Sequence, residues 1–364
     1  DTAPIADGGE GTARTLADAT GGSLHEVTVV GPTGAPVTAH WARLGGSADN
    51  VAVVEMASAA GLSLVPHTMR DPGATTTFGV GQLIVAALDA GVDRILVGCG
   101  DSGTCDGGAG ALQALGARIV DGRGREIGRG GRALAEATSL DLSGVHPRLA
   151  EVEMVLACNP HNVLCGPAGV ARVFGPQKGA TDEQVEELSA ALDKWAGVLE
   201  RDGVMIDDVR TGSGTGASGG LGAGLAAGVG AVLRSRFEAL LDSGLSGIDL
   251  DRRIRKADLV ITAEGSIDFQ TPHGKVPAEV ARRCQRFGVP VIALAGSLGV
   301  GAPAVHDVGI AAIASIITVP MPLSEAVANG EALLVDAAER TMRMILLGGA
   351  VSSRSAHKRR KVPA

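Results

Sequence analysis

Side chains that can do ionic chemistry are concentrated in one stretch, "ITAEGSIDFQTPHGK", at residues 261–275. It supplies two carboxylates, an amide, a hydroxyl and an ammonium, from Glu264, Asp268, Gln270, Thr271 and Lys275. Loops ordinarily carry turn residues such as Gly, Pro, Asn and Ser. Charged residues in turns that could have been neutral predict a binding or catalytic site. The alternative is that Asp268 caps a turn and Lys275 is a surface lysine.

Glycine, at 54 of 364 residues, is clustered in loops that also carry charged or hydroxyl groups. The four loops are "ADGGEGT" at 6–12, "GCGDSGTCDGGAG" at 98–110, "TGSGTGASGGLGAG" at 211–224 and "EGSIDFQTPHGK" at 264–275. Glycine lets backbone N–H groups approach phosphate oxygens, and a following helix N-terminus adds partial positive charge. Converging loops of this kind predict a polyphosphate ligand, with ordinary turns as the alternative.

Known glycine motifs fit these loops poorly. The G-x-G-x-x-G match at Gly214, Gly216 and Gly219 has no convincing strand before it, which disfavours a Rossmann dehydrogenase. Lys275 follows Gly274, but Val276 occupies the hydroxyl position of a P-loop and the glycine spacing differs. If the protein is a kinase, it is not a P-loop kinase.

Composition limits the classes of function. A chain of 364 residues with 45% hydrophobic content can form about two domains, and neither a signal peptide nor a membrane span is predicted. Aromatic residues at 2% and a net charge of -8 disfavour nucleic-acid binding. The basic run at 357–361 is interpreted as a solvated tail. Five cysteines without a C-x-x-C pair indicate a reducing cytosol and disfavour a zinc site.

Apolar runs alternate with helical patterns along the chain. Strands are predicted at 51–55, 94–97, 153–157, 259–262, 289–295 and 310–319. Helices are predicted at 81–90, 183–199 and 277–287, the second with a capping box from Thr181 to Gln184. The alternation predicts an α/β fold with largely parallel sheet. Three glycine-rich loops then lie at the carboxyl ends of strands, where open α/β folds bind ligands.

Six blocks of sequence, in order along the chain, resemble the bacterial glycerate kinase family. They are "PIADGGEGT" at 4–12, "VVEMASAAGLSLV" at 53–65, "RDPGATTTFGVGQLI" at 70–84, "GDSGTCDGGAGALQALG" at 100–116, "FGPQKGAT" at 174–181 and the stretch at 261–275. The resemblance covers nearly the whole chain. It implies transfer of the γ-phosphoryl group of ATP to D-glycerate, with 2-phosphoglycerate the favoured product, in a cleft between domains.

The resemblance also implies two α/β domains, one inserted in the other. The discontinuous domain, with a mostly parallel sheet, would comprise 1–21 and 246–350, and the inserted domain 22–245. Residues 351–364 would be a disordered basic tail. The partners implied are the small molecules ATP and D-glycerate, and a homodimer is left open.

Phosphoryl transfer needs positioning, Mg²⁺, cations for the developing charge and a carboxylate that orients the attacking hydroxyl. On the resemblance, the catalytic residues would be Asp268, Asp7 and Lys275. The substrate would be bound by Arg70, Gln270, Thr271 and Glu10. The nucleotide would be bound by Gly107, Gly108, Lys178, Gly219 and Gly220, and Mg²⁺ by Asp106 and Glu264.

The sequence also departs from the family pattern. The strand and the A-P-D-S-F-K-G-like loop with which members usually begin are absent before residue 4, and Ala263 and Ser266 replace what are often Gly and Arg. Two alternatives follow. The chain would be an inactive ligand-binding fragment of that family or, less favoured, a nucleotide-dependent oxidoreductase that uses the glycines at 211–224.

Overall fold

A computed structural model describes residues 1–46, 50–244 and 249–360, without the side chains of 352–360. It divides into two compact units, residues 2–249 and residues 250–364 with Asp1. The larger unit therefore includes residues 2–21, which the sequence analysis assigned to the discontinuous domain. The predicted boundary at 245/246 lies outside the described residues, so the inserted arrangement stays a prediction.

Six strands of the larger unit, within its described part, form one mixed sheet in the order β1-β2-β3-β4-β7-β8. The strands of this unit are β1 (Ser23–Val30), β2 (Pro36–Arg43), β3 (Val51–Glu55), β4 (Arg94–Gly98), β5 (Arg118–Val120), β6 (Ser139–Asp141), β7 (Glu153–Cys158) and β8 (Val232–Ser235). The pairs β1–β2 and β2–β3 are antiparallel, and β3, β4, β7 and β8 are parallel. The short strands β5 and β6 pair separately.

Helices cover this sheet and bury its apolar strands. They are α1 (Thr12–Thr20), α2 (Met56–Ala60), α3 (Phe78–Asp89), α4 (Ala109–Ala114), α5 (Val170–Phe174), α6 (Asp182–Asp202) and α7 (Ala217–Val229). Every residue of β3 is buried, as its unbroken apolar run requires. The capping box of α6 is confirmed, since Thr181 and Gln184 bond reciprocally. No strand directly precedes Gly214 in the described chain, as expected.

The smaller unit contains a three-stranded parallel sheet in the order β11-β10-β9. Its elements are α8 (Leu250–Ile254), β9 (Val260–Ile267), α9 (Val276–Phe287), β10 (Val291–Leu298), β11 (Ala312–Ser315), α10 (Leu323–Ala328) and α11 (Gly330–Arg360). The predicted α/β fold with mostly parallel sheet is confirmed. The strand expected at 310–319 is shorter, because only Ala312–Ser315 pairs with β10.

The helix α9 illustrates how local signals set an element's ends. Pro277 lies in its first turn, where a missing N–H costs nothing, and Gly288 ends it with φ of 69°. At the other end of this unit, α11 continues to Arg360, where a disordered tail was expected from residue 351. Residues 361–364 lie outside the described residues. No helix of the described chain has the length and apolar character that crossing a bilayer requires.

Candidate active site

A cavity of about 660 Å³ opens in the larger unit beside the carboxyl ends of β4 and β7. Its ionic lining residues are Asp7, Glu10, Arg70, Asp101, Lys178 and Arg236. Amide and hydroxyl groups come from Ser63, Ser102, Asn159, Asn162, Gln177 and Ser218. The structure thus brings together five residues that the sequence predicted for the site, Asp7, Glu10, Arg70, Lys178 and Gly219.

One side of the cavity is acidic, formed by the loops at 6–12 and 98–110. Asp7 accepts a hydrogen bond from the backbone N–H of Gly9 at 2.9 Å and lies 3.7 Å from the Arg236 guanidinium. Asp101 accepts one from the backbone N–H of Glu10 at 3.1 Å. The sequence analysis did not single out Asp101, although it lies within the quoted glycine-rich loop. These carboxylates can accept hydrogen bonds from a hydroxyl or contribute oxygens to a cation.

Glycine is required where these two loops meet. A Cβ on Gly100 would lie 2.4 Å from Gly9 Cα, and one on Gly98 would lie 2.6 Å from the Gly8 carbonyl oxygen. No side chain fits at such distances. The backbone of one loop therefore holds the acidic groups of the other against the cavity.

The basic side of the cavity is formed by Lys178 and Arg70. Lys178 is 3% exposed, and its ammonium donates to the Ser102 hydroxyl at 2.8 Å and the Thr104 carbonyl at 2.7 Å. Burial lowers the pKa of Lys178, and the nearby Cys105 and Asp106 oppose that shift. Arg70 adjoins this lysine through Gly179, where a Cβ would lie 2.6 Å from that of Arg70. The two cations can together bind a carboxylate or a phosphate.

The predicted nucleotide-binding glycines pack against one another. Gly107 donates its backbone N–H to the Gly219 carbonyl at 2.9 Å. A Cβ on Gly219 would lie 2.0 Å from the Thr104 carbonyl, and one on Gly220 would lie 2.7 Å from Gly107 Cα. Gly108 begins α4 with φ of 75°. Close loop packing accounts for these glycines, and Gly219 is the one of these four among the residues lining the cavity. Their role in nucleotide binding stays a prediction.

Asp106 is surrounded by hydrogen-bond donors of the protein. It is 0% exposed and lies outside the cavity lining. Its carboxylate accepts from the backbone N–H of Thr77 at 2.7 Å, the Thr77 hydroxyl at 2.9 Å, and the backbone N–H groups of Gly108 at 3.2 Å and Gly110 at 3.3 Å. Burial raises the pKa of Asp106, and these hydrogen bonds oppose the shift. Both oxygens of Asp106 accept hydrogen bonds from the protein, which are the contacts of a residue that anchors a loop, and its role as a Mg²⁺ ligand stays a prediction.

Glu55, which the sequence analysis did not select, supports the acidic side of the cavity. It lies at the end of β3, is 0% exposed and accepts the backbone N–H of Ala13 in the first turn of α1 at 2.5 Å. His40 lies 3.7 Å from its second oxygen. Burial raises the pKa of Glu55, and the Ala13 bond and His40 oppose that shift. Because α1 directly follows the loop at 6–12, Glu55 positions Asp7 and Glu10.

The second group of predicted residues lies after β9 in the smaller unit. The Lys275 ammonium lies 3.3 Å from Asp268 and 3.6 Å from Glu264, and donates to the Ser266 carbonyl at 3.2 Å. Asp268 also accepts the backbone N–H of Gln270 at 2.9 Å. Lys275 therefore supplies a positive charge to both carboxylates, and the role of Glu264 as a Mg²⁺ ligand stays a prediction.

Asp268 is held as a carboxylate. Burial tends to raise its pKa, but the hydrogen bonds from Gln270 and Lys275 outweigh burial, and the pKa is lowered overall. Thr271 is fully buried, and its hydroxyl accepts the backbone N–H of Asp268 at 3.0 Å. Thr271 therefore shapes this turn, and its predicted contact with substrate stays a prediction. An ionised, partly exposed carboxylate beside an ammonium can accept a proton from a hydroxyl group.

Comparison with known proteins agrees with these features. The model of the glycerate kinase family matches residues 1–346. Glycerate kinase from Bacillus subtilis (strain 168) is 44% identical over 342 residues, which cover 94% of this chain and 86% of that protein. Glycerate 2-kinase from Escherichia coli (strain K12) is 43% identical, covering 89% of this chain and 83% of that protein.

The chain is also similar to a solved structure. A crystal structure assigned to glycerate kinase 2 from Salmonella typhimurium LT2 superposes with a TM-score of 0.78 at 43% identity, covering 95% of this chain and 88% of the other. The chain therefore belongs to the glycerate kinase family, whose members are kinases that phosphorylate an alcohol group.

Proposed function

We propose that this protein transfers the γ-phosphoryl group of ATP to the 2-hydroxyl of D-glycerate, giving 2-phosphoglycerate. The observation that carries the proposal is the cavity beside β4 and β7, which is lined by both cations and carboxylates. An acceptor with one carboxylate and two hydroxyls matches such a lining. The name of the Escherichia coli relative, glycerate 2-kinase, supports the 2-hydroxyl as acceptor.

In this proposal Arg70 binds the carboxylate of the acid, because a planar guanidinium pairs with a carboxylate through two parallel hydrogen bonds. Lys178 holds the loop at 100–105 through Ser102 and Thr104 and adds positive charge to the same side. Mg²⁺ bound with the nucleotide supplies neutralisation of phosphate charge. Asp7 and Asp101, whose carboxylates line the cavity, have the oxygen donors that this ion prefers.

The smaller unit contributes Asp268 as the group that accepts the proton of the attacking hydroxyl. Its lowered pKa keeps it ionised at neutral pH, and Lys275 fixes its position. Positioning of reactants and preorganised charge provide most of the acceleration in phosphoryl transfer, so few residues need covalent roles. Variants in each unit test these roles separately.

The test is product formation from D-glycerate and ATP, followed by phosphorus NMR, which distinguishes 2-phosphoglycerate from 3-phosphoglycerate. We expect 2-phosphoglycerate, loss of product when a chelator removes Mg²⁺, and no product from L-glycerate. Formation of 3-phosphoglycerate would correct the acceptor position. Binding of both substrates without turnover would instead identify a ligand-binding fragment.

We also propose a cytoplasmic location. The five cysteines are all free thiols, as expected in a reducing compartment. Fractionation of the source cells with an antibody against this chain tests the location. A homodimer stays a prediction, which light scattering at several protein concentrations tests.

A further inference from the structure

Ser218 is a buried hydroxyl in the cavity wall whose oxygen bonds to no other group of the described chain. The residue is 5% exposed and lines the cavity, and its Oγ has no hydrogen-bond partner among the described residues. A buried hydroxyl without a partner destabilises the folded protein. A ligand that enters the cavity with an acceptor oxygen would remove that destabilisation.

The backbone at Ser218 is strained. Its φ is 53° and its ψ 44°, the left-handed region, and Gly219 and Gly220 continue that conformation with φ of 72° and 93°. Glycine adopts this region freely, whereas a residue with a side chain does so at a cost. Ser218 therefore combines a strained backbone with an unpaired buried hydroxyl. Such a combination is typical of a ligand-binding position.

The surroundings of Ser218 are cationic. The next residue, Gly219, packs against Thr104, whose carbonyl accepts from the Lys178 ammonium. An ammonium has three donors, and two of those of Lys178 bond to protein oxygens, which leaves one. Beyond Gly179, the Nε of Arg70 is buried and has no partner among the described residues. The lining of the cavity thus includes three unused donors, from Ser218, Lys178 and Arg70.

We propose that Ser218 is a specificity-determining residue that donates its hydroxyl to an oxyanion held by Arg70 and Lys178. The inference rests on the proposed function and extends it, because it assigns the uncharged hydrogen-bond donor of the subsite, by which we mean the part of the cavity that binds this oxyanion. The oxyanion is either the carboxylate of the acceptor acid or a phosphate of the nucleotide, two sources that share the same oxygen-acceptor chemistry. The arms of the experiment distinguish them.

The main variants are Ser218→Ala and Ser218→Gly, with Ser213→Ala as control. Ser213 lies in the same glycine-rich loop but is exposed, lies outside the cavity lining and bonds to the Pro160 carbonyl at 3.1 Å. Loss of a hydrogen bond to a charged oxygen raises KM or Kd by about tenfold or more. We expect that rise for D-glycerate or for ATP in both Ser218 variants and for neither substrate in the control.

The melting temperatures of the variants distinguish a role of Ser218 in ligand binding from a role in folding. Ser218→Gly removes the hydroxyl and also relieves the strain, so we expect it to melt at or above the wild-type temperature while binding weakly. Ser218→Ala keeps the strain and loses the same hydroxyl. A purely structural Ser218 would instead lower the melting temperature in step with binding. Unchanged KM for both substrates in both variants overturns the proposal.

Measurements of direct binding test the role of Ser218 independently of the proposed kinase activity. Calorimetry with D-glycerate, a non-hydrolysable ATP analogue and inorganic phosphate needs no turnover. If the protein proves inactive but its affinity for one of these probes falls in Ser218→Ala, the subsite stands and the kinase assignment fails. If the wild-type protein phosphorylates D-glycerate and the affinities do not depend on Ser218, the subsite fails and the kinase assignment stands.

Discussion

The loops at 98–110 and 264–275 both place an aspartate after a strand that pairs in parallel with its neighbours, yet the two carboxylates have opposite pKa shifts. Asp106 is fully buried among N–H and O–H donors, and burial raises its pKa. Asp268 remains partly exposed beside Lys275, and hydrogen bonds lower its pKa. The first aspartate is committed to contacts within the protein, whereas the second keeps a charge that can act on a ligand.

The lysines of the two units also differ in the groups that surround their positive charges. Lys178 bonds to a hydroxyl and a carbonyl and has no carboxylate within salt-bridge distance in the described chain, although the nearby Asp106 favours its charged form. Lys275 lies between two carboxylates. A cation held by neutral acceptors attracts an anion, while a cation held by carboxylates sets their charge and position. This difference supports the proposed roles, which are anion binding in the larger unit and a base in the smaller one.

The largest effect is expected from Asp268→Asn, which keeps the shape of the side chain and removes its basicity. Loss of a general base lowers kcat by about 10²–10⁴-fold. Coupled ATP-consumption kinetics measures it, with Asp307→Asn, an exposed aspartate of the same unit, as control. A wild-type kcat in the Asp268 variant would show that Asp268 is not the base. The charged aspartate would then be no more important for catalysis than the buried one.

For Asp106 we expect a substitution to lower the stability of the protein, because its carboxylate bonds to buried groups of the protein. Asp106→Ala leaves the donors of Thr77, Gly108 and Gly110 buried without an acceptor, so we expect the free energy of unfolding to fall by about 3 kcal/mol or more. Urea denaturation measures it, with the exposed Asp18→Ala as control. Wild-type stability combined with loss of Mg²⁺-dependent activity would support the predicted role of Asp106 as a metal ligand.

Much of the fold could be predicted from sequence because its signals are local. The apolar runs of β3, β4 and β7 and the capping box at Thr181 each depend on neighbouring residues, and each lies where expected. The hairpin of β1 and β2 was not predicted. Its half-exposed strands mix polar and apolar residues, so no unbroken apolar run marks them.

The site was predictable only in part, because its lining depends on which loops touch. The family resemblance pointed to Asp7, Arg70 and Lys178, which do line the cavity. The resemblance also pointed to Asp106, because a sequence does not show whether donors from Thr77 surround a carboxylate. Ser218 was missed because a serine in a glycine-rich run resembles a linker until its burial and backbone conformation are known.

A smaller effect is expected where the loop at 98–110 is held by an aromatic residue. Trp195 is fully buried and donates its indole N–H to the Gly107 carbonyl at 3.0 Å. Trp195→Phe removes that donor, and we expect a loss of about 1–3 kcal/mol in the free energy of unfolding.

The second tryptophan offers a matched control. Trp41 is also buried but stacks on His25. Its replacement by Phe changes volume alone, so Trp195→Phe should be the more destabilising in urea denaturation. Equal losses in the two variants would show that volume, and not the bond to Gly107, holds the loop.

The smallest effect is a shift in the titration of Asp268. Because its pKa is lowered from 3.8, its carbon-13 carboxyl signal should titrate below that value. Lys275→Met removes one of the causes and should move the midpoint upward. A group with a lowered folded-state pKa contributes stability above its unfolded pKa and loses that contribution as pH falls through the folded one. The stability gap between wild type and Lys275→Met should therefore narrow below pH 3.8. A wild-type midpoint at or above 3.8 would mean that burial outweighs the bonds from Gln270 and Lys275, and Asp268 would then resemble Asp106.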